Sequence, residues 1–178
     1  MNGILYNELF PDRKLADFVK CFWCAKNVTG AAHEFTILPD GHFGMIVQFE
    51  KNNFQSIYLK GIWTKPFNII IPADTAFYAI RFKPIAAESI LLFNISEILD
   101  QNRALEKSFW GIDELPFKSL SEFSDLLTTK MLAVLEASKK IDERKLKLFG
   151  LLFETKGSAS VEQISKTLFW SSRQINRY

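Results

Sequence analysis

The sequence predicts an α+β protein: a small β-barrel or sandwich first, helices after it, and a helix-turn-helix cut short at the C-terminus. Three patterns predict it. Short stretches of apolar and polar alternation, broken by turn residues, run through residues 1–83. Apolar residues then recur every three to four positions between Ser119 and Lys140. Two short amphipathic segments with a tight connection close the chain from Ser160 to Tyr178. The expected organisation is residues 1–140 as one β-domain carrying a long helix at about 119–140, and residues 141–178 as a linker helix with an incomplete helix-turn-helix.

In the β zone, Glu34–Leu38 and Phe43–Glu50 flank Pro39-Asp40-Gly41, a turn signal that joins them as a hairpin. Phe43, Met45, Val47 and Phe49 share one face of the second strand. Gln55–Trp63 repeats the alternation through Ile57, Leu59, Gly61 and Trp63, and Phe67–Ile71 is an apolar run closed by Pro72. Thr75–Lys83 puts Tyr78, Ile80 and Phe82 on one face and Phe77, Ala79 and Arg81 on the other. Such faces are expected to turn inward around a shared volume, either a packed core or a ligand-sized void.

Pro84 suits a first helical turn, with a short helix over Ala86–Phe93; Ser96–Asp100 and Leu105–Trp110 read as short or irregular. The long helix carries Leu120, Phe123, Leu127, Met131 and Val134 as a stripe, widened by Leu126 and Leu135. The stripe either packs on its own β-domain or faces a second copy, and it is the expected dimerisation surface. Asp142 and Gly157 bracket a basic helix as N-cap and C-cap signals.

At the C-terminus Val161, Ile164 and Leu168 form an apolar helical face, and Ser171 is placed to cap the next helix. That helix turns Ile175 and Tyr178 to one side. Ser172, Arg173, Asn176 and Arg177, with Gln174 beside them, are side chains of the kind that reach bases and phosphates. Charge agrees in sign: residues 1–138 hold 13 Lys+Arg against 16 Asp+Glu, whereas residues 139–178 hold 9 against 4. A basic tail on a slightly acidic body is the balance expected of a segment that meets phosphates, although a solvated helix surface gives the same balance.

The segment SxEQISKxLxxSSRQINRY resembles the first helix-turn-helix of the AraC family of bacterial transcription regulators, through Ser171, Arg173, Ile175, Arg177 and Tyr178. Phe169 departs from it, standing where the family often has a turn glycine. The pieces LADFVKCFW, ILPDGHFGMIVQF, GIW and YAIRFKPIAA resemble the sensor region of one subgroup, through Pro39, Asp40, Gly41, Arg81, Phe82, Lys83 and Pro84. The resemblance implies a cupin-like β-barrel effector domain, a dimerising helix and a linker into a DNA-binding half. It also implies a second helix-turn-helix that this chain does not reach, so the 178 residues alone are expected to hold DNA poorly while the full-length protein binds it.

Other classes fit less well. Two histidines, no glycine-rich phosphate loop and no serine–histidine–acid pattern leave little for catalysis, and His42 beside Asp40 reads as a surface turn residue. Cys21 and Cys24 sit in an apolar run, where three residues of separation in a strand put the sulfurs on opposite faces. No metal or cofactor is expected. Twenty-five aromatics, 17 of them Phe, supply a core and enough apolar wall for a cavity, with Arg81 as the polar anchor for an anionic effector and Trp23 and Trp63 as aromatic walls. A ligand-binding or protein-interaction module without a DNA role is the alternative. Neither an apolar membrane span nor a secretory signal is recognisable, so the cytoplasm is the expected location.

Overall fold

The computed structural model describes residues 3–114, 119–138 and 142–177. They form two compact units, Met1–Ala137 and Ser138–Tyr178. In the first unit β1 (Ile4–Leu9), β2 (Val19–Asn27), β3 (His33–Ile37), β4 (Phe43–Glu50), β5 (Asn53–Lys60), β6 (Phe67–Ile71) and β7 (Thr75–Phe82) precede the single-turn α1 (Ala86–Ser89). The short β8 (Asn102–Ala104) and the long α2 (Leu120–Ala137) follow. One sheet has the order β1-β2-β7-β4-β5-β8, with every described pairing antiparallel; β3 and β6 pair separately. Among the described residues the result is two facing sheets and no closed barrel. β3 spends its hydrogen bonds on β6, and the outer edges of the large sheet belong to β1 and the three-residue β8.

The expected hairpin therefore does not form. The PDG turn joins β3 to β4, but these strands lie in different sheets. A turn signal specifies a reversal of the chain, not the partner of either strand.

The large sheet has two different faces. On one, Phe43, Met45 and Val47 of β4 stand in register with Phe82, Ile80 and Tyr78 of β7, and all are buried. Phe22 and Cys24 of β2, and Ile57 and Leu59 of β5, extend this face across four strands. α2 covers part of it: the Phe123 ring lies 6.5 Å from Phe22 and 5.7 Å from Tyr78. Phe123, Leu127 and Met131 are fully buried, and each such burial stabilises by roughly 1.5–3 kcal/mol. The structure places the centre of the expected dimerisation stripe against its own sheet. Its three middle residues are consumed inside their own unit, while Leu120 and Val134 at its ends are half-buried. The expected end of that helix at Lys140 lies outside the described residues.

Of the two outcomes left open for the Phe43–Met45–Val47 face, the structure shows the packed core: all three are buried, and the Phe43 ring stacks on Phe82 and meets Phe93 edge-on. It is the opposite face that looks toward β3 and β6. There Ile4, Ala25 and Ile71 are buried among Trp23, Phe35, Ile69 and Phe77. Asn27 locks the end of β2 to β6: its amide donates to Ala31 O at 2.8 Å, Pro72 O at 2.8 Å and Ile71 O at 3.3 Å. Its carbonyl oxygen accepts from the Thr29 N–H and hydroxyl, so a polar group only 3% exposed is fully satisfied.

In the second unit α3 (Glu143–Glu154), α4 (Val161–Leu168) and α5 (Ser172–Arg177) pack around Leu148, Ile164, Leu168 and Trp170. Asp142 caps α3 by accepting from Arg144 N at 3.0 Å. The helix closes on Lys156 in the left-handed region before Gly157, whose N–H returns to Leu152 O at 2.8 Å. The Arg177 side chain and Tyr178 lie outside the described residues.

Candidate functional site

Between the large sheet and the β3–β6 pair lies a cavity of ≈ 290 Å³. The phase of alternation opposite to the buried face builds its floor. Ile46 alternates with Met45 and Val47, Tyr58 and Lys60 with Ile57 and Leu59, and Arg81 with Ile80 and Phe82. Trp23 of β2 joins them, and Ile37 of β3 with Phe67 and Ile69 of β6 form the opposite wall. Asp40 of the PDG turn stands at one end.

The polar groups gather at that end. Arg81 Nε lies 3.4 Å from Asp40 Oδ2, and its Nη1 lies 3.9 Å from Glu8 Oε1. Lys60 Nζ lies 4.0 Å from Asp40 Oδ1. Burial lowers the pKa of Lys60, opposed in part by the charge of Asp40. Burial likewise pushes the Tyr58 hydroxyl up to about 12. His42 is no surface residue: its side chain is 12% exposed, its Nδ1 lies 2.6 Å from Asp40 O, and burial lowers its pKa. Its backbone N–H donates to Asp40 Oδ1 at 3.1 Å, which holds the turn tight.

Of the residues expected to bind a ligand, the structure brings Trp23 and Arg81 to the cavity and leaves Trp63 outside its lining. β5 ends at Lys60, because Gly61 docks on the 98–101 loop and donates its N–H to Gln101 O at 3.0 Å. A Cβ at Gly61 would stand 1.7 Å from Ile98 O, so only glycine fits there. Beyond that break Trp63 stacks on Phe67, with ring centroids 4.0 Å apart. Its buried indole N–H has no hydrogen-bond partner among the described residues.

Asp40, Lys60, Tyr58 and Ile46 were not singled out as site residues by the sequence. The signal for three of them was the other phase of β4 and β5, which carries Ile46, Tyr58 and Lys60 between the residues of the buried face. Cys21 and Cys24 do lie on opposite faces, in register with Arg81 and Tyr78 respectively, and both are free and buried. Among the described residues no group of His, Cys, Asp and Glu is arranged to hold a metal ion.

In the second unit Ser160 and Gln163 cap α4 reciprocally, and Ser171 and Gln174 do the same for α5: Gln174 N donates to Ser171 Oγ at 3.3 Å and Ser171 N to Gln174 Oε1 at 2.9 Å. Ile175 packs on the small core, whereas Ser172, Arg173, Gln174 and Asn176 are exposed. Phe169, between the helices, takes φ 54° and ψ 36° and is 91% exposed.

A mixed α+β domain with antiparallel sheets and an internal cavity is the class the geometry defines. The chain belongs to the family described as Domain of unknown function (DUF6597), whose model matches residues 7–103, over half of the chain. That stretch runs from β1 into β8 and contains Arg81, Lys60, Asp40 and Trp23. No curated protein and no solved structure matches the chain. Among the described residues no helix is long and apolar enough to cross a membrane.

Proposed function

We propose that this chain is the effector-sensing part of a sequence-specific DNA-binding transcription regulator of the AraC type, with residues 7–103 enclosing the effector site and α4–α5 belonging to the DNA-reading part. The observation that carries the reading is the pair of tandem caps. They hold two short helices around Trp170 with the apolar residue of α5 turned inward and Ser172, Arg173, Gln174 and Asn176 turned out. These side-chain types serve base edges and phosphates, and the net charge of residues 139–178 favours the same partner. The first unit supplies the second half of the reading: an apolar cavity with convergent charged groups.

A binding module without a DNA role is the second reading, and it rests on the cavity alone. Chromatin immunoprecipitation of the tagged protein, expressed from its own gene, separates the two. Discrete DNA segments should be enriched, and Arg173→Ala combined with Asn176→Ala should erase the enrichment. Uniform recovery of DNA by the unmodified protein would overturn the regulator reading and leave the binding module.

A further inference from the structure

Arg81, Gly44 and Lys60 form a row across three neighbouring strands: Gly44 of β4 is in register with Arg81 of β7 on one side and with Lys60 of β5 on the other. Residues in register share a face of the sheet, and here it is the face that looks into the cavity. The middle member has no side chain, so two cations flank a gap. A Cβ at Gly44 would stand 2.7 Å from Ile80 O, so the backbone itself keeps larger residues out of this place. Asp40 reaches toward the gap from the turn, but its attractions to Arg81 and Lys60 span 3.4 and 4.0 Å. A charge-assisted N–H···O bond is about 2.7–2.9 Å long. Asp40, with Glu8 3.9 Å from the other side of Arg81, therefore balances the pair from a distance without making the bonds that the pair can offer.

We propose that the cavity takes a small organic carboxylate, one ring or a chain of similar bulk, whose carboxylate displaces that of Asp40 between Arg81 and Lys60. The proposal rests on the reading of the cavity as an effector site and adds the class of effector. Size supports it: a cavity of about 150 Å³ accommodates benzene, so ≈ 290 Å³ holds a ring with a few substituents. The wall opposite the cations is apolar, made by Ile37, Phe67 and Ile69 with Ile46 and Trp23 adjoining. A planar carboxylate matches the fork of the Arg81 guanidinium, and Lys60 adds a point charge. No strand pairing depends on Asp40, since β3 ends at Ile37 and β4 begins at Phe43; to yield its place it gives up the bond that its Oδ1 accepts from the His42 N–H.

Exchange with an internal carboxylate makes a signed prediction. Titration calorimetry would use benzoate and phenylacetate, with benzamide and benzyl alcohol as neutral probes of the same shape. The carboxylates should bind at least about tenfold more tightly than the neutral probes. Arg81→Gln and Lys60→Gln should each weaken carboxylates about tenfold or more without changing neutral probes, while Asp40→Asn should tighten carboxylates. Arg81→Lys keeps the charge without the fork and should weaken them less than Arg81→Gln. Thermal unfolding of each variant without ligand confirms that the fold is kept. Neutral probes binding as well as carboxylates would overturn this effector class and leave the cavity an effector site. Weaker carboxylate binding by Asp40→Asn would overturn the exchange. No binding of any probe at millimolar concentration would overturn both this inference and the effector reading of the cavity.

Discussion

The ring of Phe123 meets that of Phe22 edge-on, with centroids 6.5 Å apart and planes at 88°, and this contact fastens α2 to the sheet. Leu127 and Met131 continue the seam with no solvent exposure. Leu127→Ala is therefore expected to destabilise the protein by about 2–5 kcal/mol through the cavity it leaves. Its denaturation midpoint should not depend on protein concentration. A midpoint that rises with concentration in the parent protein, and loses that dependence in Leu127→Ala, would mean that the stripe is an intermolecular seam after all.

His42 gives the first unit a pH dependence of defined sign. Burial lowers its pKa in the folded state, with the charges of Arg81 and Lys20 acting the same way and Asp40 opposing them. The unfolded chain then binds this proton more readily, so the stability due to neutral His42 is complete above about pH 6.5 and is lost as pH falls through the folded value. Urea denaturation at about pH 7.5 and about pH 5 should show a larger loss for the parent than for His42→Gln. Equal losses would show that His42 does not titrate against folding.

Cys21 should be a poor nucleophile. Burial pushes its thiol up to about 11, and its relative exposure is 1%. Cys24 is also buried, at 5%. Both are expected to react slowly with a thiol-specific chromophore at about pH 8 and rapidly once urea unfolds the chain, by a factor of about a hundred or more. Fast modification of either in the native protein would show that the strand opens locally.

Phe169 occupies a left-handed backbone position that costs a side-chain-bearing residue roughly 1–2 kcal/mol. Its ring is 91% exposed, so few contacts would be lost by replacing it. Phe169→Gly should therefore stabilise the second unit, by up to about 1 kcal/mol once the greater freedom of glycine in the unfolded chain is counted. Chemical denaturation followed by Trp170 fluorescence measures it. A loss of stability would show that the ring contributes more than its exposure implies.

Part of the fold was legible because local physics specifies it. The caps at Asp142 and Ser171 follow from short polar side chains placed before apolar periodicity, and the alternation in β4 and β7 follows from the pleat. The cavity lining was legible at Arg81 and Trp23, each a large residue in a stretch that forms a strand. Trp63 was misplaced because alternation was carried past Gly61, where the backbone contact with Ile98 and Gln101 ends the strand. Nothing local to Gly61 announces a neighbour 37 residues away.

By itself the sequence determined which residues share a face: Phe43 with Met45 and Val47, Gly44 with Ile46, Tyr78 with Ile80 and Phe82, and Ala79 with Arg81. Only the tertiary structure decided what each face meets. Both faces of the central strands are apolar enough to bury, so periodicity could not say which would lie under α2 and which would enclose a cavity. That choice follows from β3 pairing with β6 rather than β4, and from the stripe of α2 finding Phe22 and Tyr78. Apolar burial is non-directional. The strand period specifies a partition of side chains, and the long-range pairings specify which half of that partition lines the cavity.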